Sequence, residues 1–119
     1  MIVIEELKHL NVPTSNIEES VNFYTMFFDF DEISKEDDSA EISFENIRFR
    51  LFKTDKALPT SFPLISFSMD IDDFTDALQF IEKERIKIVS GPVEIASGEK
   101  LIIADPSGNL LELYYVQEE

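Results

Sequence analysis

Leu7-Lys8-His9-Leu10-Asn11-Val12, followed by Asn16-Ile17-Glu18-Glu19-Ser20-Val21 and Phe23-Tyr24, reads as a half-buried strand, a turn and an amphipathic helix. Alternating apolar and polar side chains mark the strand, because neighbouring residues of a strand point to opposite faces. Asn16 with Glu19 three positions on reads as an N-cap with a capping box. Ile17, Val21, Tyr24 and Phe28 recur at helical spacing, so the helix runs to about Phe28.

The pattern returns in the second half of the chain. Ile65 to Ile71 alternates as a strand, Asp73 is the expected cap, and Phe74, Leu78 and Ile81 form the helix stripe. Asn16 falls on Asp73, Ile17 on Phe74, Val21 on Leu78 and Phe23 on Phe80. Short alternating runs follow each helix: Asp31 to Ser34, Glu41 to Phe44 and Ile47 to Phe52 in the first half, and Lys87 to Val89, Glu99 to Ala104 and Leu110 to Val116 in the second. The predicted fold is α+β, with two tandem β-α-β-β-β modules, about 1–56 and 62–119, in one domain spanning 1–119. Together they are expected to form a curved, cleft-bearing mixed sheet with the helices on its outer face. Thr54 to Pro63 is the expected connection. Asp105-Pro106-Ser107-Gly108-Asn109 is the clearest turn, since Pro presets one φ and Gly accepts the left-handed position after it.

Composition narrows the function classes. The chain has 119 residues, 11 Phe, no Trp and no Cys, so the core is expected to be dry and aromatic, with no disulfide, thiolate ligand or cysteine nucleophile. A formal charge of −15 repels polyanions, and no basic cluster offsets it, which excludes nucleic acid as the expected partner. No run approaches the roughly 20 apolar residues of a membrane span, and Met1 to Glu6 lacks the basic start of a signal peptide. The expectation is a cytoplasmic protein with no membrane partner.

Alternation sorts the strands into two faces. Leu10, Val12, Phe49, Leu51, Ile65, Phe67, Met69, Leu101, Ile103, Leu111, Leu113 and Tyr115 form an apolar set to be covered by the helices. His9, Asn11, Arg48, Arg50, Ser66, Ser68, Asp70, Glu112 and Tyr114, mixed with Phe52, Ile102 and Leu110, fall on the other. A helix-free face that combines convergent polar groups with apolar ones suits a small-molecule cleft.

These residues resemble the vicinal oxygen chelate superfamily, which includes glyoxalase I, extradiol dioxygenases and the fosfomycin- and bleomycin-resistance proteins. The resemblance covers nearly the whole chain. It is carried by His9 through Asn16–Val21 to Phe23-Tyr24, and by Gly91-Pro92-Val93, Gly98 and Asp105-Pro106-Ser107-Gly108-Asn109-Leu110-Leu111-Glu112-Leu113. One departure is Phe28-Asp29-Phe30, with Asp where the family has Gly, at a point where a left-handed residue is needed.

In metal-using members paired strands supply up to four ligands, which the resemblance places at His9, Arg50, Ser66 and Glu112. His9 and Glu112 suit a divalent metal, whereas serine is a poor ligand and arginine a permanent cation. The expected cofactor is therefore none, with a divalent metal on His9 and Glu112 as the alternative. His9 is open to three readings: a ligand, a neutral cleft residue or a packed structural histidine. Glu112 and Arg50 either pair with each other or receive charged groups of a ligand, Arg50 or Arg48 an anion and Asp70 or Glu112 a cation. Phe52, Leu110 and Tyr114 would form the apolar wall.

The expected function is small-molecule binding of the glyoxalase/bleomycin-resistance type, with a degenerate metal site, an apolar or aromatic ligand in the sheet cleft, and a homodimeric assembly. The alternative is a metal-dependent lyase, dioxygenase or thiol transferase using His9 and Glu112. No catalytic residue is assigned. There is no Gly-rich phosphate loop, and no motif pairs Ser66 or Ser68 with His9 for nucleophilic catalysis.

Overall fold

A computed structural model describes residues 1–55 and 61–117. They form two compact units, one on each side of the 56–60 segment. The expected connection from Thr54 to Pro63 lies partly outside the described residues.

The first unit contains β1 (Leu10–Thr14), α1 (Ile17–Phe27), β2 (Asp31–Lys35), β3 (Ser39–Phe44) and β4 (Ile47–Lys53). Its sheet has the order β1-β4-β3-β2, with β1 parallel to β4 and the other pairs antiparallel. The opening strand starts at Leu10 rather than Leu7, so His9 precedes it. Asn16 caps α1 as the sequence predicts, its Oδ1 accepting the Glu19 N–H at 3.0 Å. The capping box is one-sided, however. The Asn16 N–H that Glu19 would satisfy is bonded to Thr14 Oγ1 at 3.1 Å, and Thr14 Oγ1 also lies 2.5 Å from Ser20 Oγ. Both hydroxyls are buried, tying the end of β1 to the first turn of the helix.

The core under α1 is aromatic. Tyr24 is fully buried, with ring centroids 5.5 Å from Phe30 and 6.4 Å from Phe49, and Phe30 lies 5.2 Å from Phe49. Val12, Ile42, Phe49 and Leu51 complete it from the sheet. Leu10, expected among the covered residues, is 45% exposed. It begins β1, and the buried strand positions come later, at Val12 and Thr14. Asp29 takes φ +57°, the left-handed conformation expected there, and Phe28 and Phe30 N–H groups both reach back to the Tyr24 carbonyl.

The second unit repeats the design with β5 (Ile65–Ser68), α2 (Ile71–Lys83), β6 (Ile88–Ile95), β7 (Gly98–Ala104) and β8 (Leu110–Val116), in the order β5-β8-β7-β6. Here the expected cap is corrected. Asp70, not Asp73, caps α2, its Oδ1 accepting from Asp72 N–H at 3.2 Å. Phe74 and Ile81 are buried as the repeat implies, so the packing stripe is matched while the helix starts a turn earlier. Strand β5 consequently ends at Ser68, and Ile71 belongs to the helix. Ile65, Phe67 and Met69 are half-buried rather than core. The run expected over Lys87 to Val89 extends to Ile95, through a cis Gly91-Pro92 bond. Arg85, at φ +56°, ends α2 as Asp29 ends α1, and the Ile86 N–H returns to the Ile81 carbonyl at 3.0 Å.

The predicted turn between β7 and β8 is confirmed, with Gly108 at φ +89°. Asp105 organises it: Oδ1 accepts from the Ser107 and Asn109 N–H groups at 2.9 Å each, and Oδ2 accepts from Asn109 Nδ2 at 2.8 Å. Gly98 is demanded by packing, because a Cβ there would run into the Tyr115 carbonyl.

Candidate functional site

Each sheet has one face under its helix and one turned away from it. In β4, Phe49 and Leu51 are buried against α1, so Arg48, Arg50 and Phe52 project from the helix-free face. In β8, Leu111, Leu113 and Tyr115 are buried and Leu110, Glu112 and Tyr114 are half-buried. The expected cleft residues of β4 and β8 therefore lie on helix-free faces, one group in each unit.

On the first face, strand register sets Asn11 of β1 beside Arg50 of β4, and Arg50 beside Glu41 of β3. The next row is Pro13, Phe52 and Ser39. Glu41 was not among the residues singled out from the sequence. Its signal was present, since pairing β3 with β4 puts position 41 opposite position 50. Glu41 Oε2 lies 3.6 Å from Arg48 Nη1, a partly exposed pair that contributes at most about 1 kcal/mol. Within this unit, among the described residues, the Arg50 guanidinium and the Asn11 carboxamide make no hydrogen bond or ion pair. His9, directly before β1, has a buried Nδ1 with no hydrogen-bond partner among the described residues.

On the second face, Ser66 is in register with Glu112, and Ser68 with Tyr114. Ser66 Oγ donates to Glu112 Oε1 at 3.0 Å. Ile102 lies beside Glu112 on its other side, and Lys100 beside Tyr114. Asp70, expected to line the cleft, is exposed and uses Oδ1 to cap α2. Leu110 borders the Asp105 turn and is half-buried.

Of the four positions that the resemblance assigns to a metal, Arg50 lies on β4, Ser66 on β5 and Glu112 on β8, and His9 directly precedes β1. Two of the four side chains do not fit a divalent ion. Arg50 brings a fixed positive charge, and Ser66 brings a hydroxyl already given to Glu112. No group of three His, Asp or Glu side chains able to hold a metal occurs among the described residues.

No helix among the described residues is long and apolar enough to cross a membrane. Solved structures with the same fold include the fosfomycin resistance protein FosX from Listeria monocytogenes, with a TM-score of 0.82 and 15% identity over 97% of this chain and 96% of that one. A virulence protein from Salmonella typhimurium matches with a TM-score of 0.72 and 23% identity over 98% and 100% of the two chains. A glyoxalase/bleomycin resistance protein/dioxygenase from Alicyclobacillus acidocaldarius matches at 0.71, with 20% identity over 95% and 92%. At these identities the likeness is one of fold. The family model described as Glyoxalase/Bleomycin resistance protein/Dioxygenase superfamily matches residues 6–113. With two β-α-β-β-β units and that match across nearly its whole length, the chain belongs to the glyoxalase/bleomycin resistance/dioxygenase superfamily.

Proposed function

We propose that this chain is a metal-free small-molecule-binding protein of the cytoplasm, working as a homodimer and holding an apolar or aromatic ligand against a helix-free sheet face. The observation that carries this reading is the state of the ligand positions. Arg50 stands at one, and at another Ser66 donates its hydroxyl proton to Glu112. A carboxylate engaged in this way beside a non-ligating hydroxyl favours a polar floor for an organic ligand over a Lewis-acid centre. Half-buried Phe52 on the face of Arg50, and half-buried Leu110 and Tyr114 on the face of Glu112, supply apolar surface beside polar groups, the combination that binding clefts use.

The test has two arms. Native mass spectrometry of protein purified without chelators should show a retained organic molecule or an empty chain, and elemental analysis should find no stoichiometric Zn, Mn, Fe or Ni. A thermal-shift panel should then show stabilisation by aromatic compounds, rising with the logarithm of their excess over Kd. Submicromolar binding of one metal per chain, lost in His9→Ala or Glu112→Ala, would refute this reading and favour a metal-dependent enzyme.

A further inference from the structure

We infer that the ligand is an aryl carboxylate whose anionic group is received by Arg50 on the first sheet; this rests on the reading of that face as ligand-binding. The row Asn11, Arg50, Glu41 offers Arg50 a natural counterion in Glu41, its register partner. Glu41 is instead taken by Arg48 at 3.6 Å. A chain with 25 acidic and 10 basic residues has carboxylates to spare, yet within this unit, among the described residues, the Arg50 guanidinium has none. Arg50 is half-buried, so it has lost part of its hydration without a protein partner to replace it.

A carboxylate restores what is missing. The guanidinium presents a planar fork that matches two carboxylate oxygens, and such charge-assisted pairs are about twice as strong as neutral ones. Asn11, one strand over, has a carboxamide without a partner among the described residues and able to donate to the same group, and His9, whose buried Nδ1 also lacks a partner among them, precedes it by two residues. Phe52 lies two residues along β4 on the same face, about 7 Å from Arg50 by the strand rise. A ring separated from a carboxylate by one or two carbons spans that distance. The charge of −15 discriminates further, since it opposes multiply charged anions and leaves a local cation able to hold a single negative charge.

Three probes that share the naphthalene ring system and differ in head group test this: 2-naphthylacetate, its primary amide, and 2-(2-naphthyl)ethylamine, titrated by calorimetry at fixed ionic strength. The carboxylate should bind wild type at least about tenfold more tightly than the amide. Arg50→Gln should abolish that preference, while Arg50→Lys, which keeps the charge but loses the fork, should retain part of it. Arg48→Gln should weaken carboxylate binding by freeing Glu41 to pair with Arg50, and Arg48→Gln/Glu41→Gln should recover it. Amide or amine binding as tight as the carboxylate, or a preference that survives Arg50→Gln, overturns the anion assignment and leaves the binding reading intact. Failure of all three probes at millimolar concentration overturns both.

Discussion

Ser66 and Glu112 sit directly opposite each other on parallel strands, joined by a 3.0 Å hydrogen bond in which the serine donates. Ser66 is exposed, so its loss is cheap: Ser66→Ala should cost less than about 1 kcal/mol. Ser66→Glu should cost roughly 0.2–1 kcal/mol more, because like charges directly opposite across a strand pair repel. Adding Glu112→Gln should remove that increment. Urea midpoints at constant slope give the answer, and equal stability of Ser66→Ala and Ser66→Glu would contradict the pairing.

Thr14 and Ser20 form the buried hydroxyl contact between β1 and α1. Thr14→Val keeps the shape but strands the Ser20 hydroxyl and the Asn16 N–H, for an expected loss of about 1–3 kcal/mol. In that background Ser20→Ala should cost less than it does in wild type, since its partner is already gone. Strictly additive single and double variants would mean that the two hydroxyls are not coupled.

Tyr115 donates its hydroxyl proton to Glu99 Oε2 at 2.8 Å. That bond, followed by desolvation and the negative charges of Glu99 and Glu94, raises the phenol above its ordinary value of 10.0. A group whose folded value is raised contributes its full stability below the unfolded value and loses it as pH climbs through the folded one. Stability should therefore fall as pH rises above about 10, and Tyr115→Phe should flatten the decline. The Tyr115 phenol should ionise late in a tyrosinate absorbance titration, and that late component should be lost in Tyr115→Phe. A Tyr115→Phe variant with an unchanged alkaline slope would oppose this account.

Exposed apolar side chains on the edge strand β6, with Ile88 and Val89 each at 45%, suit an interface between copies of the chain. Sedimentation at micromolar concentration should report a dimer. Because each copy carries −15, the dimer should tighten as salt screens the repulsion. A monomer, or a dimer that dissociates on adding salt, would count against it.

The strands and the two helices were legible in the sequence because their signals are local. Alternation in Ile47 to Phe52 and Leu110 to Val116 fixes which side chains share a face, and the folded chain keeps those faces. The α2 cap was misplaced because Asp70, Asp72 and Asp73 are all plausible caps. The choice belongs to backbone geometry, and extended φ and ψ at Asp70 decide it. Leu10 shows a second limit. Alternation assigns a face but is silent on whether the helix reaches that far along the strand. The site was half legible for the same reason. Face membership of Arg48, Arg50 and Glu112 follows from parity, whereas the Arg48–Glu41 and Ser66–Glu112 partnerships depend on which strands become neighbours.

Asp29 and Arg85 close their helices in a left-handed conformation that costs a non-glycine residue roughly 1–2 kcal/mol, and Glu45 and Ser97 share that conformation in turns. The scaffold has thus left easy gains untaken, although glycine would return part of each through its freer unfolded chain. All four positions lie outside the strands and helices that carry the binding faces. A lineage or a designer could harden this fold at its corners first, then use the added stability to tolerate new side chains on the sheets, where a change of ligand would be written.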